Sequence, residues 1–192
     1  PHESAKLHVT GEALYTDDIS APDDTLHAYV GMSEANHARI KNLNLDAVRE
    51  APGVVCVIAA QDIPGLSDIG PVYPGDPLIA DNIVEFKGQI LFAVAATSNK
   101  AARRAARLAK VEYEALPAIL DSKTGHALES YVRPMHCQQR GDAEAAIAAA
   151  PLRLEGAFDS GGQEQMYIEG QVSLAIPDED RRMLVYLSLI HI

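Results

Sequence analysis

GQILFAVAATSNKAARRAARLAKVEYEAL, residues 88–116, decides the fold class of this chain. An apolar run of strand length, QILFAVAA, comes first, and a second run typical of a strand, KVEYEAL, ends the stretch. The segment between them is rich in alanine and arginine, and Ser98 or Asn99 is suited to cap a helix over 100–109. The stretch therefore predicts a strand, a helix and a second strand in succession.

The residues upstream of this stretch add further strands. Four segments typical of strands lie between residues 26 and 88, namely LHAYVGMS, ARIKNLNL, VVCVIAA and NIVEFKG, together with one short helix, DAVREA. The apolar neighbours of Cys56 within VVCVIAA predict a small buried side chain. Strands interleaved with helices indicate an α+β or α/β sandwich of roughly 110 residues. We expect its sheet to be mixed.

The residues after Pro117 form a second region with weaker signals. The segment 118–139 has little periodicity and predicts a surface linker, and Asp142 then caps a short alanine-rich helix. Strands are predicted at 152–158, 166–176 and 182–187, which are too few to bury a core. We therefore expect this region to be incomplete. The sequence begins at Pro1 without a methionine, which leaves open an upstream portion.

The composition excludes several classes of protein. The net charge of -11 argues against a nucleic-acid partner, because the phosphate backbone requires a basic face. The two cysteines, Cys56 and Cys137, are too few for a disulfide scaffold or a structural zinc site. No apolar run approaches 18 residues and no signal peptide is visible. These features fit a soluble, cytoplasmic protein.

Most of the polar motifs have a structural interpretation. The basic residues of the helix, among them Arg103 and Arg107, fit a solvated face. The acidic pairs at 17–18 and 23–24 fit turn chemistry. The histidines lack the spacing of metal ligands, so that packing or hydrogen bonding is expected for His27, His37, His126 and His136. No dinucleotide motif, phosphate-binding loop or Ser/His/Asp arrangement is present.

The loop at 62–77, DIPGLSDIGPVYPGDP, is long for a compact domain. Loops of this length without helix or strand are usually functional. We expect it to serve function or to form an interface.

DSGGQEQMYIEGQVSLAIP, residues 159–177, allows two interpretations. In the first, Gly161 and Gly162 form a turn between two strands whose polar side chains are alternately exposed. In the second, the glycines let the backbone approach a bulky group, and Gln163 donates a hydrogen bond without adding charge. Composition alone leaves both interpretations open.

Longer stretches resemble a known family. GEALYTDDISAPDDTLHAYVGMSEANHARI, APGVVCVIAAQDIPG and the stretch from residue 88 to 120 resemble the α/β hammerhead domain of the xanthine dehydrogenase and aldehyde oxidase family. RGDAEAAIAAAPLRLEGAFDSGGQEQMYIEGQVSLAIPDEDRRMLVY is similar to the start of the molybdopterin-binding domain in the same subunit. The resemblance implies an α+β hammerhead domain over 8–117, a linker over 118–139 and the beginning of the molybdopterin-binding domain over 140–192.

The resemblance also implies roles for residues. In the family, the glutamine of the GGQE motif hydrogen-bonds an oxo ligand of molybdenum, and this position is Gln163. The resemblance then makes Gly161 and Gly162 cofactor-binding residues, because glycines let the cofactor approach the backbone closely. The metal is carried by a pterin dithiolene and not by side chains. The catalytic base lies further along the subunit, so we expect no catalytic residue in this chain and no activity from it alone.

The implied activity is that of a purine hydroxylase of purine catabolism, which converts xanthine or hypoxanthine to urate. The implied cofactors are molybdenum–molybdopterin here and 2Fe-2S clusters, FAD and NAD on partner subunits or domains of a dimeric assembly. Two alternatives stay open, an aldehyde oxidase-type hydroxylase and a non-catalytic hammerhead assembly module. Where the family continues with a polar stretch, this chain has LSLIHI, and we assign no function to residues 187–192.

Overall fold

The computed structural model describes residues 4–166 and 170–188. The chain divides into two compact units, one of Pro22–Val132 and one of Pro1–Ala21 with Arg133–Ile192. In the described part, no helix is both long enough and apolar enough to cross a bilayer. The domain bounds expected from the sequence, 8–117, 118–139 and 140–192, stay a prediction.

The predicted α+β order is found in the structure. The helices are α1 (Ala5–Thr10), α2 (Asp46–Arg49), α3 (Asn99–Ala106), α4 (Ser122–Ala127) and α5 (Ala143–Ala149). The strands are β1 (His27–Met32), β2 (Ala38–Asn44), β3 (Val54–Ala59), β4 (Ile83–Val84), β5 (Ile90–Ala96), β6 (Lys110–Ala115), β7 (Ser173–Pro177) and β8 (Met183–Leu187). The first six strands were all predicted, and NIVEFKG is reduced to the two residues of β4.

The unit of residues 22–132 contains two three-stranded sheets, with strand orders β1-β5-β3 and β4-β2-β6. Each of their pairings is antiparallel. The expected mixed sheet is therefore wrong. A parallel pair needs a crossover that returns to the same sheet, whereas β5 and β6, which α3 connects, lie in different sheets.

The core of this unit includes the space between the first sheet and α3, and Val48 of α2 and Val84 of β4 also belong to it. Phe92 and Val94 of β5 are buried beside Ala102 and Ala105, the inward residues of α3. Gly31 of β1 lies opposite Phe92, and a Cβ atom at residue 31 would lie 2.0 Å from the phenyl ring. Burial of one such large apolar side chain stabilises the fold by about 1.5–3 kcal/mol.

Cys56, which the sequence predicts to be buried, is exposed. Alternate residues of a strand point to opposite faces, and its neighbour Val57 packs against the core. Ile58 shares the face of Cys56 and is 42% exposed. The all-apolar sequence of β3 indicates burial on both faces, but the core of this unit covers only one.

The segment predicted as a linker over 118–139 contains a helix. Asp121 caps α4 by accepting hydrogen bonds from the backbone N–H of Thr124 at 2.8 Å and from its hydroxyl at 2.7 Å. These bonds, the backbone one first, hold the pKa of the Asp121 carboxyl below its ordinary value. The Asp-x-x-Thr spacing is the local sequence signal for this helix. The helix was not predicted because the apolar residues of the segment show little periodicity.

The second unit has few regular elements. Asp142 caps α5 as predicted, accepting from the N–H of Ala145 at 2.9 Å. The predicted strand at 152–158 is absent, and the one at 166–176 is reduced to β7, with residues 167–169 outside the described part. A strand needs a partner for its backbone groups, and β7 pairs with β8, the strand predicted at 182–187.

Removal of the cap of α3 tests the packing of this helix on the first sheet. The Ser98 hydroxyl accepts a hydrogen bond from the N–H of Ala101 at 3.2 Å. Ser98→Ala should lower the free energy of unfolding by about 1 kcal/mol, the usual cost of a lost N-cap. Chemical denaturation of the purified chain measures it. Asn99→Ala is the matched control and should change stability little, so equal losses in both variants would contradict the capping role.

Candidate functional site

The segment with the candidate cofactor-binding residues is extended and exposed. Residues 153–166 have neither helix nor strand, and Gly161, Gly162 and Gln163 are all exposed. Glu164 accepts a 3.4 Å hydrogen bond from the N–H of Met166, and in the described part no other hydrogen bond involves residues 159–165. The polar groups of this segment are therefore open to an external partner.

The two glycines do not form the turn that one interpretation of the sequence predicts. Both lie outside the left-handed region, unlike the turn residues Gly11 and Gly141, whose φ angles are 76° and 72°. A Cβ atom at Gly161 or Gly162 would meet nothing within 4 Å. Residues 159–166 contain neither a turn nor a bend, so the turn interpretation is wrong.

Gly161, Gly162 and Gln163 offer hydrogen-bond donors. Gln163 offers a neutral amide with two N–H donors. In the described part, the backbone N–H groups of Gly161 and Gly162 make no hydrogen bond. In the described part, no group of three or more His, Cys, Asp or Glu side chains is arranged to hold a metal ion. The donor set is thus suited to the oxygen and nitrogen acceptors of a pterin group.

The chain downstream of this segment is held by one serine. The Ser188 hydroxyl accepts from the N–H of Val172 at 2.6 Å and donates to the carbonyl of Gly170 at 2.9 Å. These bonds fix residues 170–172 to the end of the β7–β8 hairpin. The downstream end of the motif is therefore anchored, whereas within the described part residues 159–165 have only the hydrogen bond between Glu164 and Met166.

The loop at 62–77 is ordered by a carboxylate. Asp68 accepts hydrogen bonds from the N–H groups of Gly70 at 2.9 Å, Gly75 at 2.7 Å and Asp76 at 3.3 Å. These bonds, with Gly70 first and Gly75 next, hold the pKa of the Asp68 carboxyl below its ordinary value. A Cβ atom at Gly70 would lie 2.0 Å from the Tyr73 carbonyl oxygen. The loop is therefore a defined structure built around one side chain.

An open cleft of about 870 Å³ lies on the same unit, lined by His37, Phe86, Ile119, Leu120, His126 and Tyr131 among others. The Nδ1 atom of His37 lies 2.5 Å from the Pro117 carbonyl oxygen, and that of His126 lies 2.7 Å from the Tyr131 hydroxyl. Hydrogen bonding, as the sequence predicts, accounts for both histidines.

The remaining polar motifs follow their structural interpretations. Arg103 and Arg107 are exposed, and the guanidinium of Arg103 lies 5.7 Å from the ring centroid of Tyr29. The Asp18 carboxylate accepts from the N–H of Tyr15 at 2.9 Å and closes a short 3-10 turn. These residues support the fold and add nothing to the candidate site.

Family comparisons agree with this arrangement of an α+β unit followed by a molybdopterin-type segment. Residues 10–117 match the model described as aldehyde oxidase and xanthine dehydrogenase, a/b hammerhead domain. Residues 123–192 match the molybdopterin cofactor-binding domain. The chain belongs to the aldehyde oxidase and xanthine dehydrogenase family, whose members are molybdenum hydroxylases.

Individual relatives lie in both branches of this family. The chain is 39% identical over 176 residues to xanthine dehydrogenase 1 of Arabidopsis thaliana, covering 90% of this chain and 13% of that protein. It is 36% identical over 189 residues to aldehyde oxidase 2 of Macaca fascicularis, and the alignment covers 97% of this chain and 14% of that protein. The aldehyde oxidoreductase structure from Desulfovibrio gigas aligns with a TM-score of 0.77 at 26% identity. The alignment covers 97% of this chain and 23% of that chain. The chain thus spans a small part of each relative.

The pH dependence of the loop tests the role of Asp68. A carboxyl whose pKa is lower in the folded chain than in the unfolded chain stabilises the folded loop through its ionised form. This stabilisation is complete above the unfolded pKa, about 3.9. It is lost as the pH falls through the lower pKa of the folded chain. The amide proton signals of Gly70 and Gly75 in NMR spectra should therefore stay unchanged at neutral pH and move only below about pH 4.

Two substitutions complete this test. Asp68→Asn should shift at least one of the two glycine signals at every pH, because one carboxylate oxygen is replaced by an NH2 group that cannot accept a hydrogen bond. Asp76→Asn is the matched control, since Asp76 joins the loop through its backbone. Unchanged glycine signals in Asp68→Asn would show that another group orders the loop.

Proposed function

We propose that this chain is part of the molybdenum-binding portion of a purine hydroxylase and that residues 161–163 contact its cofactor. The observation that carries the proposal is the segment 159–165, which is polar, exposed and almost free of hydrogen bonds in the described part. Membership of the family supports molybdopterin as the group that engages it. The chain alone is proposed to be inactive.

Each residue of the motif has a distinct role in this proposal. The Gln163 amide donates a hydrogen bond to an oxygen acceptor of the bound group. Gly161 and Gly162 leave room for that group against the backbone, since among the described residues nothing lies within 4 Å of the position of a Cβ atom at either glycine. A neutral donor suits the position, because an ionised carboxylate would repel an acceptor oxygen. Molybdenum–molybdopterin, when bound, supplies the oxidation and oxygen transfer at the substrate carbon.

The remaining parts of the reaction are assigned to other regions of the assembly. We propose that 2Fe-2S clusters and FAD on partner domains or subunits carry the electrons to NAD, and that the assembly is a cytoplasmic dimer. The identity of 39% to a xanthine dehydrogenase supports xanthine or hypoxanthine as substrate and urate as product.

A second candidate function is aldehyde oxidation. The 36% identity to an aldehyde oxidase and the TM-score of 0.77 to an aldehyde oxidoreductase favour it. Comparison of kcat/KM for xanthine and for an aromatic aldehyde on the full-length, cofactor-loaded protein decides between the two. A third candidate is a non-catalytic assembly module, which predicts that the full-length protein takes up no molybdenum.

Replacement of Gln163 tests the proposed contact. If the amide donates to an acceptor that gains negative charge during the reaction, the bond strengthens in the transition state and raises turnover more than affinity. Gln163→Ala in the full-length, cofactor-loaded enzyme should lower kcat by about 10- to 1000-fold with a smaller change in KM. Gln163→Glu should be at least as harmful.

Two measurements keep this test specific. Molybdenum content, measured on the same samples, separates a slow site from an empty one. Gln165→Ala is the matched control, because Gln165 lies two residues further along the same exposed segment and has no proposed contact. Full molybdenum content with unchanged turnover in Gln163→Ala would remove Gln163 from the site.

A further inference from the structure

The first sheet is apolar on the face that points away from α3. Side chains alternate between the two faces of a strand, and Tyr29, Val57 and Val94 point to the core. Their neighbours form two rows across the three strands on the opposite face. We call these six residues the outer face, and they are Ala28, Ala95 and Cys56 in one row and Val30, Ala93 and Ile58 in the other. None of them carries a charge, an amide or a hydroxyl.

The described residues cover the outer face only in part. Ala28 and Cys56 are exposed, Ile58 is 42% exposed, and the other three residues are partly buried. Strands with one solvated face alternate between apolar and polar side chains, whereas strands that are buried on both faces are apolar throughout. The sequences of β3, VVCVIA, and β5, ILFAVAA, are of the second kind. They fit a sheet that is covered on both faces.

The relatives of this chain contain a large amount of additional protein that is available to cover this face. The chain spans 13% of a xanthine dehydrogenase and 23% of an aldehyde oxidoreductase chain. Contacts that stay buried permanently are apolar and resemble the inside of a domain, whereas contacts that form and dissociate are more polar. The uncharged outer face therefore fits a permanent contact within one polypeptide better than a transient contact with a partner.

We propose that a further domain of the same polypeptide, outside these 192 residues, buries the outer face with an apolar surface of its own. Cys56 and Ile58 then lie in a core between two domains and not at the surface of the protein. The thiol of Cys56 is exposed in the isolated chain, so it reports directly on the presence of this cover. A buried thiol reacts with a reagent only when the structure opens.

Alkylation of Cys56 by iodoacetamide, in the 192-residue chain and in the full-length protein, tests the proposal. Mass spectrometry of the peptide that contains Cys56 gives the rate in each protein, and circular dichroism confirms that both are folded. The folded 192-residue chain should react at nearly the rate of the denatured chain. The folded full-length protein should react at least about 100-fold more slowly, because alkylation then requires the domains to separate. After denaturation in urea, the two proteins should react equally.

A substitution on the outer face completes the test. Ile58→Asp in the full-length protein places a charge in the proposed contact and should speed the alkylation of Cys56 at least about tenfold. Leu120→Asp, which changes an exposed residue outside the outer face, is the matched control and should leave the rate unchanged.

The wild-type rates decide the matter even if the variant does not fold. Equal rates in the two folded proteins would overturn the proposal, because the outer face would then be open in both. Slow alkylation in the 192-residue chain would overturn it as well, since the cover would then belong to this chain. Protection that the full-length polypeptide gains only with added partner subunits would assign the cover to another chain and would also overturn the proposal.

Discussion

The close approach of Phe92 to Gly31 is the contact on which the first unit depends. The phenyl ring occupies the space that any side chain at residue 31 would fill. Because Gly31 has no side chain, β1 can pair with β5 while Phe92 remains in the core. The alanines of α3, Ala102 and Ala105, then pack on the same sheet face. Substitution of Gly31 would force either the strand pair or the helix to move, since cores are close-packed.

The parts of this fold that could be predicted are those with local signals. The strand, helix and strand of residues 88–116 carry their own periodicity and a capping residue, Ser98, and they form as expected. The predicted burial of Cys56 was wrong because β3 is apolar on both faces, and the sequence does not show which face the core covers. The prediction of a strand at 152–158 was wrong because a strand also needs a neighbouring strand for its backbone hydrogen bonds, and the sequence pattern of the segment does not show whether one is present.

The candidate site and the loop around Asp68 differ in what determines their structure. The loop at 62–77 is fixed by contacts within itself, and no periodic pattern would have identified Asp68 as its centre. The motif at 159–165 stands out by its residue types and by resemblance, yet the described residues supply one hydrogen bond to it, from the N–H of Met166 to Glu164. A segment of this kind acquires a defined conformation from whatever binds it. The chemistry assigned to this motif stays a prediction, and its conformation could not be predicted from the sequence.

The central claim is that this chain folds one unit by itself and leaves the segment that carries Gln163 unprotected. Amide hydrogen exchange of the 192-residue chain, measured by mass spectrometry, tests this claim most directly. Backbone hydrogen bonds in a packed core open rarely, whereas exposed backbone exchanges quickly. Strong protection across 26–116 and weak protection across 152–187 is the predicted result. Equal protection in the two regions would contradict the account, because the chain would then order the Gln163 segment through contacts of its own.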